Sequence, residues 1–415
     1  MGIIFHIDVN SAFLSWSALE QLSLGNPVDL RTVPSIVGGD TQTRHGIVTA
    51  KSIPAKAFGI ETAEPVVSAF KKCPHLIMVP PNHQLYSAYS HALMEHLSTF
   101  CPYIEQASID ECYMDFTPIM DNFSSPEEGA RIIKDSVLDK FGFTVNVGIS
   151  DKKVLAKMAS DFKKPNLVHT LYSWEIREKM WHLPVSSLFL CGKSSTETLH
   201  KLGIRTIGEL AQADLSVLES HMKSMGTTLW QFANGIDDST LILEQVKAKG
   251  IGNSTTLSTD VTSPEEAYKV LLQLSESVGE RLRKHKSLAG MVTTEIKYAT
   301  FKSVSHQTSL FSPTSANDII YQTACRLFVE LWDGSPVRLL GVRCTKLSDE
   351  GEPLQMNLFD YAREHSMNSS KEIAAKGPNR EKLEKLDAAL DSLRGKYGKD
   401  IIKRGSLADS PKNNK

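Results

Sequence analysis

Short apolar runs alternate along the chain with longer stretches in which apolar residues recur every three or four positions, and this alternation predicts its elements. Residues 3–8 read as a buried strand ending in a carboxylate, and 11–22 have the apolar spacing of a helix. A second helix at 85–100 is followed by short strands at 103–106 and 112–116, with the tetrad Ser108-Ile109-Asp110-Glu111 between them. Residues 126–141 predict a helix with acidic residues in its first turn, and 143–149 a strand rich in β-branched residues. The order strand, helix, strand, strand, helix, strand is that of a ferredoxin-like split βαβ unit, whose first and third strands are central, adjacent and antiparallel.

In that topology the end of the first strand lies beside the start of the third, so Asp8 should meet Asp110 and Glu111 at one edge of the sheet. Three carboxylates so placed repel one another unless a cation joins them. Mg²⁺ suits such a site because it takes few carboxylates and keeps open positions for phosphates. Two such ions can clamp both oxygens of an in-line phosphoryl displacement. Taken singly, Asp8 is better explained as a cap for the helix near Ser11, and Asp110 and Glu111 as residues of a solvated turn. Their convergence points to metal chemistry.

Residues 188–204 read as a helix-hairpin-helix, with Gly192 permitting the tight turn and Ser195 or Thr196 near the start of the next helix. Exposed amides at such a hairpin can hold a DNA phosphate without reading sequence. Periodicity lapses between Asp237 and Ile251, which suits a tether. A strand near 252–257, a helix near 264–285, strands near 289–299 and 303–309, a helix near 314–333 and a strand near 336–346 then repeat the split βαβ order. Residues 361–415 are polar and charged, with one helix expected at about 380–396.

A chain of 415 residues exceeds one small core, and its 41% hydrophobic and 23% charged composition is that of a folded protein. The net charge of −2 excludes a uniformly basic nucleic-acid binder. A local basic surface survives, because residues 244–347 carry 13 Lys and Arg against 10 Asp and Glu, whereas 1–165 carry 14 against 18. Arg281, Arg283, Lys284, Lys286, Lys297 and Lys302 supply much of that lean; a charge run is usually a solvated face, and only the context of a DNA-binding fold raises these residues to phosphate contacts, which would be salt-dependent and blind to sequence. The 6 cysteines form no CxxC pair, no signal segment opens the chain, and no apolar run is long enough to span a membrane. Reduced thiols and a cytoplasmic protein are expected.

The runs Ile7-Asp8-Val9-Asn10-Ser11-Ala12-Phe13, Ser108-Ile109-Asp110-Glu111-Cys112-Tyr113-Met114-Asp115 and Val147-Gly148-Ile149-Ser150-Asp151-Lys152-Lys153-Val154-Leu155-Ala156-Lys157 closely resemble the Y-family translesion DNA polymerases, most of all the DinB branch. The resemblance covers about residues 1–360. It implies an α+β multidomain right hand: a ferredoxin-like palm (1–20 and 76–165), small fingers (21–75), a helix-hairpin-helix thumb (166–240), a linker (241–250) and a split βαβ little finger (251–347). It further implies error-prone, template-directed nucleotidyl transfer without proofreading. Asp8, Asp110 and Glu111 would be the catalytic carboxylates, holding two Mg²⁺ ions together with the Val9 carbonyl. Phe13 would pack under the incoming sugar and exclude a 2′-hydroxyl.

The stretch from Gly46 to Gly59 aligns with the family's fingers motif, but Ile53 replaces its usual tyrosine and Lys56 its usual arginine. One hydrogen bond is lost, and a bidentate fork becomes a point charge. Lys56 and the Asp-Val-Asn run at Asp8 to Asn10 look more like the UmuC branch. Lys164 matches the lysine that meets the triphosphate from the palm. In the hairpin, Gly192, Lys193 and Ser195 would contact DNA, although Leu190 stands where the family has its first glycine. Gln355-Met356-Asn357-Leu358-Phe359, in the segment 348–360, resembles the peptide by which bacterial polymerases dock on the sliding clamp. Gln355, Leu358 and Phe359 would be its anchors. The implied partners are primer-template DNA, deoxynucleoside triphosphates and the clamp, for a monomer in the bacterial cytoplasm at the nucleoid. A catalytically weak, clamp-tethered DNA scaffold derived from a polymerase is the alternative. A nucleotidyl cyclase would share the palm chemistry but leave the hairpin, the basic block and the clamp peptide without purpose.

Overall fold

The apolar runs of the first 170 residues become strands β1 (Ile4–Val9), β2 (Ser35–Gly38), β3 (Val48–Lys51), β4 (Ile77–Val79), β5 (Ile104–Gln106), β6 (Glu111–Asp115), β7 (Val145–Ser150) and β8 (Val168–Thr170). They belong to the first of two units, whose described residues are 2–40 and 46–244; the second begins at Lys247. This computed structural model describes residues 2–40, 46–244, 247–350, 380–398, 401, 402 and 404.

Five strands form one sheet in the order β5-β6-β1-β7-β8, with β1 antiparallel to both β6 and β7. The central position of the first strand is the one expected from the element order. Helices Ala12–Ser23, His83–Ser98 and Pro126–Phe141 match their sequence signals. For the last, the Ser125 hydroxyl accepts from the Glu128 N–H, Pro126 sits in the first turn, and Gly142 at φ 75° ends the helix.

Three local features depart from expectation. Strand β8, parallel to β7, extends the large sheet into the segment assigned to the thumb. At three residues it is too short to carry a period. Strand β4 pairs with β2 in the small sheet β3-β2-β4, although it begins inside the segment assigned to the palm. An unanticipated helix, Lys153–Asp161, lies against β7 and β1. Gly148 makes that approach possible, since a Cβ there would stand 2.0 Å from the Ala156 carbonyl oxygen and 2.5 Å from the Ser160 nitrogen.

Helices Lys193–Lys201, Ile207–Ala211, Leu215–Met222 and Ser224–Ala233 pack around Leu199, Ile207, Leu218 and Leu229. The hairpin before them turns differently from expectation. Gly192 is extended, at φ −72° and ψ 179°, and the left-handed residue is Leu190, at φ 65° and 51% exposed. The turn therefore uses the position where the family has its first glycine, with a leucine in a conformation that disfavours it.

The second unit has strands β9 (Gly250–Val261), β10 (Ser287–Tyr298), β11 (Ser303–Thr314) and β12 (Val337–Asp349) with helices Pro264–Lys284 and Asn317–Leu331. The element order is the expected one, but the strand order is β11-β10-β12-β9, so the first strand lies at an edge. Val292, Thr294 and Ile296 point to the helices and are buried, and Thr293, Glu295 and Lys297 alternate with them on the open face.

Helix Arg380–Tyr397 packs against both helices of this unit through charged residues. The Arg283 Nε donates to Asp391 at 2.6 Å, its Nη1 stands 3.7 Å from Asp387, and the Asn317 N–H donates to Asp387 at 2.8 Å. Arg283, expected among the phosphate-facing residues, is instead buried and used within the fold. Residues 351–379, which include Gln355, Leu358 and Phe359, lie outside the described residues. Among the described residues no helix is long and apolar enough to cross a membrane. All six cysteines are free thiols.

Candidate active site

Register places the carboxylates. Asp8 is the Cα partner of Glu111 across β1 and β6, and the Val9 N–H donates to the Asp110 carbonyl at 3.0 Å. All three acidic residues therefore meet at the end of β1, the convergence expected from topology alone. His6, two residues before Asp8 on the same face of the strand, joins them. Ligand atoms of His6, Asp8 and Glu111 lie within 4.8 Å of one another, the one such group among the described residues that could hold a metal ion. The Asp110 carboxylate accepts instead from the Ser108 hydroxyl at 2.7 Å.

The helix admitted by Gly148 carries Lys157 across this edge. The Lys157 Nζ donates to Glu111 at 2.7 Å and stands 3.5 Å from both Asp8 and Asp161. Lys164, just beyond the helix, donates to Asp8 at 2.7 Å and stands 2.8 Å from Asp161. Burial works against charge on both lysines, yet the surrounding carboxylates outweigh it and hold their pKa values above the usual range. The imidazole of His6 at 3.3 Å, with Lys157, lowers Glu111 to about 2 in spite of burial. Burial pushes His6 down, leaving it neutral near pH 7. Burial raises Asp110, a hydrogen bond from Ser108 opposes that rise, and the charges of Asp8 and Glu111 add to it. Clustered hard oxygens whose repulsion is met by ammonium groups fit a divalent cation.

Beside the carboxylates is a cavity of about 350 Å³. Its basic lining is Arg31, Lys51, Lys56 and Lys164, and Ile53 and Asn10 also face it. Strand β3 and helix Ile53–Ala57 present Lys51, Ile53 and Lys56, with the Ser52 hydroxyl capping that helix through the Ala55 N–H. Ile53 is 60% exposed and brings no hydrogen-bonding group to the place of the family's tyrosine. The Arg31 guanidinium is held by Asp29 and donates to the Gly142 carbonyl at 2.6 Å, tying the small sheet to the palm. Phe13 is half-buried and stacks on Tyr86, with centroids 4.4 Å apart and planes at 8°. Gly192 and Lys193 are exposed at the start of their helix and Ser195 is half-buried.

Sequence reasoning names the carboxylates, Lys56 and Lys164 but misses His6, Arg31, Lys51 and Lys157. Lys157 has a signal: the apolar spacing of Val154, Leu155, Met158 and Ala159 is helical, and Asp161 follows Lys157 by four residues.

Comparison with known proteins agrees with this geometry. The description "impB/mucB/samB family" matches residues 7–161, and that of the family's C-terminal domain matches residues 248–358. The DNA polymerase IV of Clostridium acetobutylicum is 43% identical over 407 residues, covering 98% of both chains. DNA polymerase IV 1 of Bacillus subtilis is 35% identical over 406 residues, 97% of this chain and 92% of that one. Among solved structures, a Y-family DNA polymerase chimera of Dbh and Dpo4 superposes with a TM-score of 0.73 at 22% identity, covering 84% of this chain and 100% of the other. This likeness extends the shared fold over most of both units. The chain belongs to the impB/mucB/samB family and is a DNA-directed DNA polymerase of the Y family, in its DinB-like branch.

Proposed function

We propose that the protein adds deoxynucleotides to a primer 3′ end by two-metal nucleotidyl transfer, without proofreading, and continues past template lesions. The convergence of Asp8, Asp110 and Glu111 beside a cavity lined by lysines carries the reading. Asp8, Asp110, Glu111 and the Val9 carbonyl would hold two Mg²⁺ ions. When bound, such ions lower the pKa of the attacking 3′ oxygen and stabilise the departing pyrophosphate. Lys56 and Lys164 face the triphosphate as point charges, with Lys51 and Arg31 adding positive potential. Lys157 orients Glu111. Phe13, braced on Tyr86, excludes a 2′-hydroxyl and selects deoxynucleotides.

Primer-template DNA is held through its backbone, by the hairpin at Gly192, Lys193 and Ser195 and by the open face of the second unit's sheet. The pentapeptide with Gln355, Leu358 and Phe359 docks on the sliding clamp, a reading carried by its sequence alone. The protein works as a monomer in the bacterial cytoplasm at the nucleoid.

Primer extension on an undamaged template, with Mg²⁺ and one deoxynucleotide at a time, tests the proposal. Templated addition that Asp110→Ala abolishes, with primer-template affinity within a few fold, is expected. Turnover retained by the variant overturns the metal-site reading. Binding without any addition by the wild type favours the scaffold.

A further inference from the structure

Lys164 sits in the segment between helix Lys153–Asp161 and strand β8, and the flanking backbone is held by two side-chain amides. The Asn146 Nδ2 donates to the Lys163 carbonyl at 2.7 Å and to the Ser160 carbonyl at 3.0 Å. The Asn146 Oδ1 accepts from the Leu167 N–H at 3.2 Å and from the Asn10 Nδ2 at 3.2 Å. The Asn10 Oδ1 accepts from the Asn166 N–H and from the Thr144 hydroxyl, both at 2.9 Å. Residues 163, 166 and 167 are thus each anchored to one connected amide pair, while Lys164 and Pro165 between them line the basic cavity.

Both amides are buried, Asn146 completely. Each oxygen accepts twice and each nitrogen donates at least once, so neither amide can rotate without opposing donor to donor and acceptor to acceptor. Asn10 directly follows the strand that carries Asp8 and Val9, and Asn146 is the Cα partner of Asp8 on β7. The end of β1 that presents Asp8 and the neighbouring start of β7 therefore together anchor the lysine-bearing turn.

We propose that Asn10 and Asn146 are positioning residues for Lys164: the amide pair fixes the turn so that the ammonium meets the triphosphate in register with the carboxylate site. The inference rests on the reading of Lys164 given above. A mere packing role would lower stability, or lower every kinetic constant together. A positioning role predicts a selective loss of nucleotide grip that disappears once Lys164 is gone.

The test is steady-state single-nucleotide incorporation by the full chain, with melting temperature and primer-template Kd measured alongside. Lys164→Ala is expected to raise the deoxynucleotide KM by about tenfold or more with a smaller change in kcat. Asn146→Ala should raise KM by a similar factor of about ten, with primer-template Kd unchanged within about twofold. The double variant should be no worse than Lys164→Ala by more than about twofold. Asn10→Asp keeps the Oδ1 acceptor and removes the donor to Asn146. It should show the same KM effect, and it serves if Asn146→Ala fails to fold. Unchanged KM in Lys164→Ala overturns the reading of the lysine, and the positioning role with it. A KM effect in Lys164→Ala that multiplies in full with the asparagine substitutions overturns the positioning role alone. So does a fall in kcat at constant KM in the asparagine variants.

Discussion

Each of the two units has a sheet in which four strands follow the βαββαβ element order, and they place their first strand differently. In the palm the first crossover skips β6 and the second skips β1, so β1 is central. In the second unit the crossovers skip β12 and β10, and β9 is left at the edge. Central placement covers β1 on both sides, brings its end against the start of β6, and gathers three carboxylates. Edge placement separates the corresponding ends: Val261 pairs with Val337, and Ser303 stands on the far edge. The second sheet accordingly gathers no acidic site among the described residues and presents a long, polar, open face. Chemistry in this molecule follows strand order rather than element order.

The largest effect that would test this contrast is at the glycines. Gly148→Ala drives a Cβ into the Ala156 carbonyl at 2.0 Å and should cost at least about 3 kcal/mol, with loss of incorporation. Gly252→Ala in the second unit meets only the Arg343 side chain and Cα, at 3.1 Å and beyond, and should cost at most about 1 kcal/mol. Urea denaturation of both variants measures the difference, and equal costs would show that the two sheets are packed alike.

Arg283→Ala comes next. It takes the guanidinium from Asp391 and from buried Asp387, which then keeps only Arg404, at 3.8 Å, as a cation among the described residues, and should destabilise the second unit by about 2 kcal/mol while leaving the first unit's unfolding unchanged in calorimetry.

Acid dependence separates Glu111 in the first unit from Asp387 in the second by sign. Glu111 is lowered from 4.5 to about 2, so its contribution is fully present above pH 4.5 and is lost as pH falls towards 2. Burial raises Asp387 above 3.8, so its contribution is present below pH 3.8 and is lost as pH rises through the raised value. In urea midpoints measured without metal from pH 2.5 to 5.5, Glu111→Gln should flatten the acid loss and Asp387→Asn should remove the opposing slope.

The smallest effect is at the open face. Arg343→Ala should change stability by no more than about 0.5 kcal/mol. It should reduce the salt dependence of primer-template binding by about 0.9 in log–log slope.

Helix Pro126–Phe141 is legible in the sequence because it carries its own boundaries, a serine cap, proline, two glutamates and a terminal glycine. The carboxylate cluster is legible because topology fixes the end of β1 against the start of β6. Strand order in the second unit does not follow from its element order, although a cue is present: Gly250–Val261 is rich in Gly, Ser and Thr, where Ile4–Val9 is apolar. A polar strand suits an edge. The helix of Lys157 shows in the apolar spacing of Val154, Leu155, Met158 and Ala159, but its place across the carboxylates escapes sequence reasoning because it depends on a close approach that only Gly148 signals. The role of Arg283 is hidden because its partners lie about a hundred residues away, in a helix whose charged stripe reads as a solvated face. At Leu190 local propensity misleads outright, since the left-handed turn falls on a leucine and not on the nearby Gly192.

The central claim is that the carboxylates gathered by β1 and β6 bind the ions of nucleotidyl transfer. Mn²⁺ titration by electron paramagnetic resonance, with a 3′-dideoxy-terminated primer-template and the matching deoxynucleotide, tests it most directly. Two tightly bound ions per chain are expected, both lost in Asp8→Ala, with primer-template binding retained. A stoichiometry unchanged by Asp8→Ala would contradict the account.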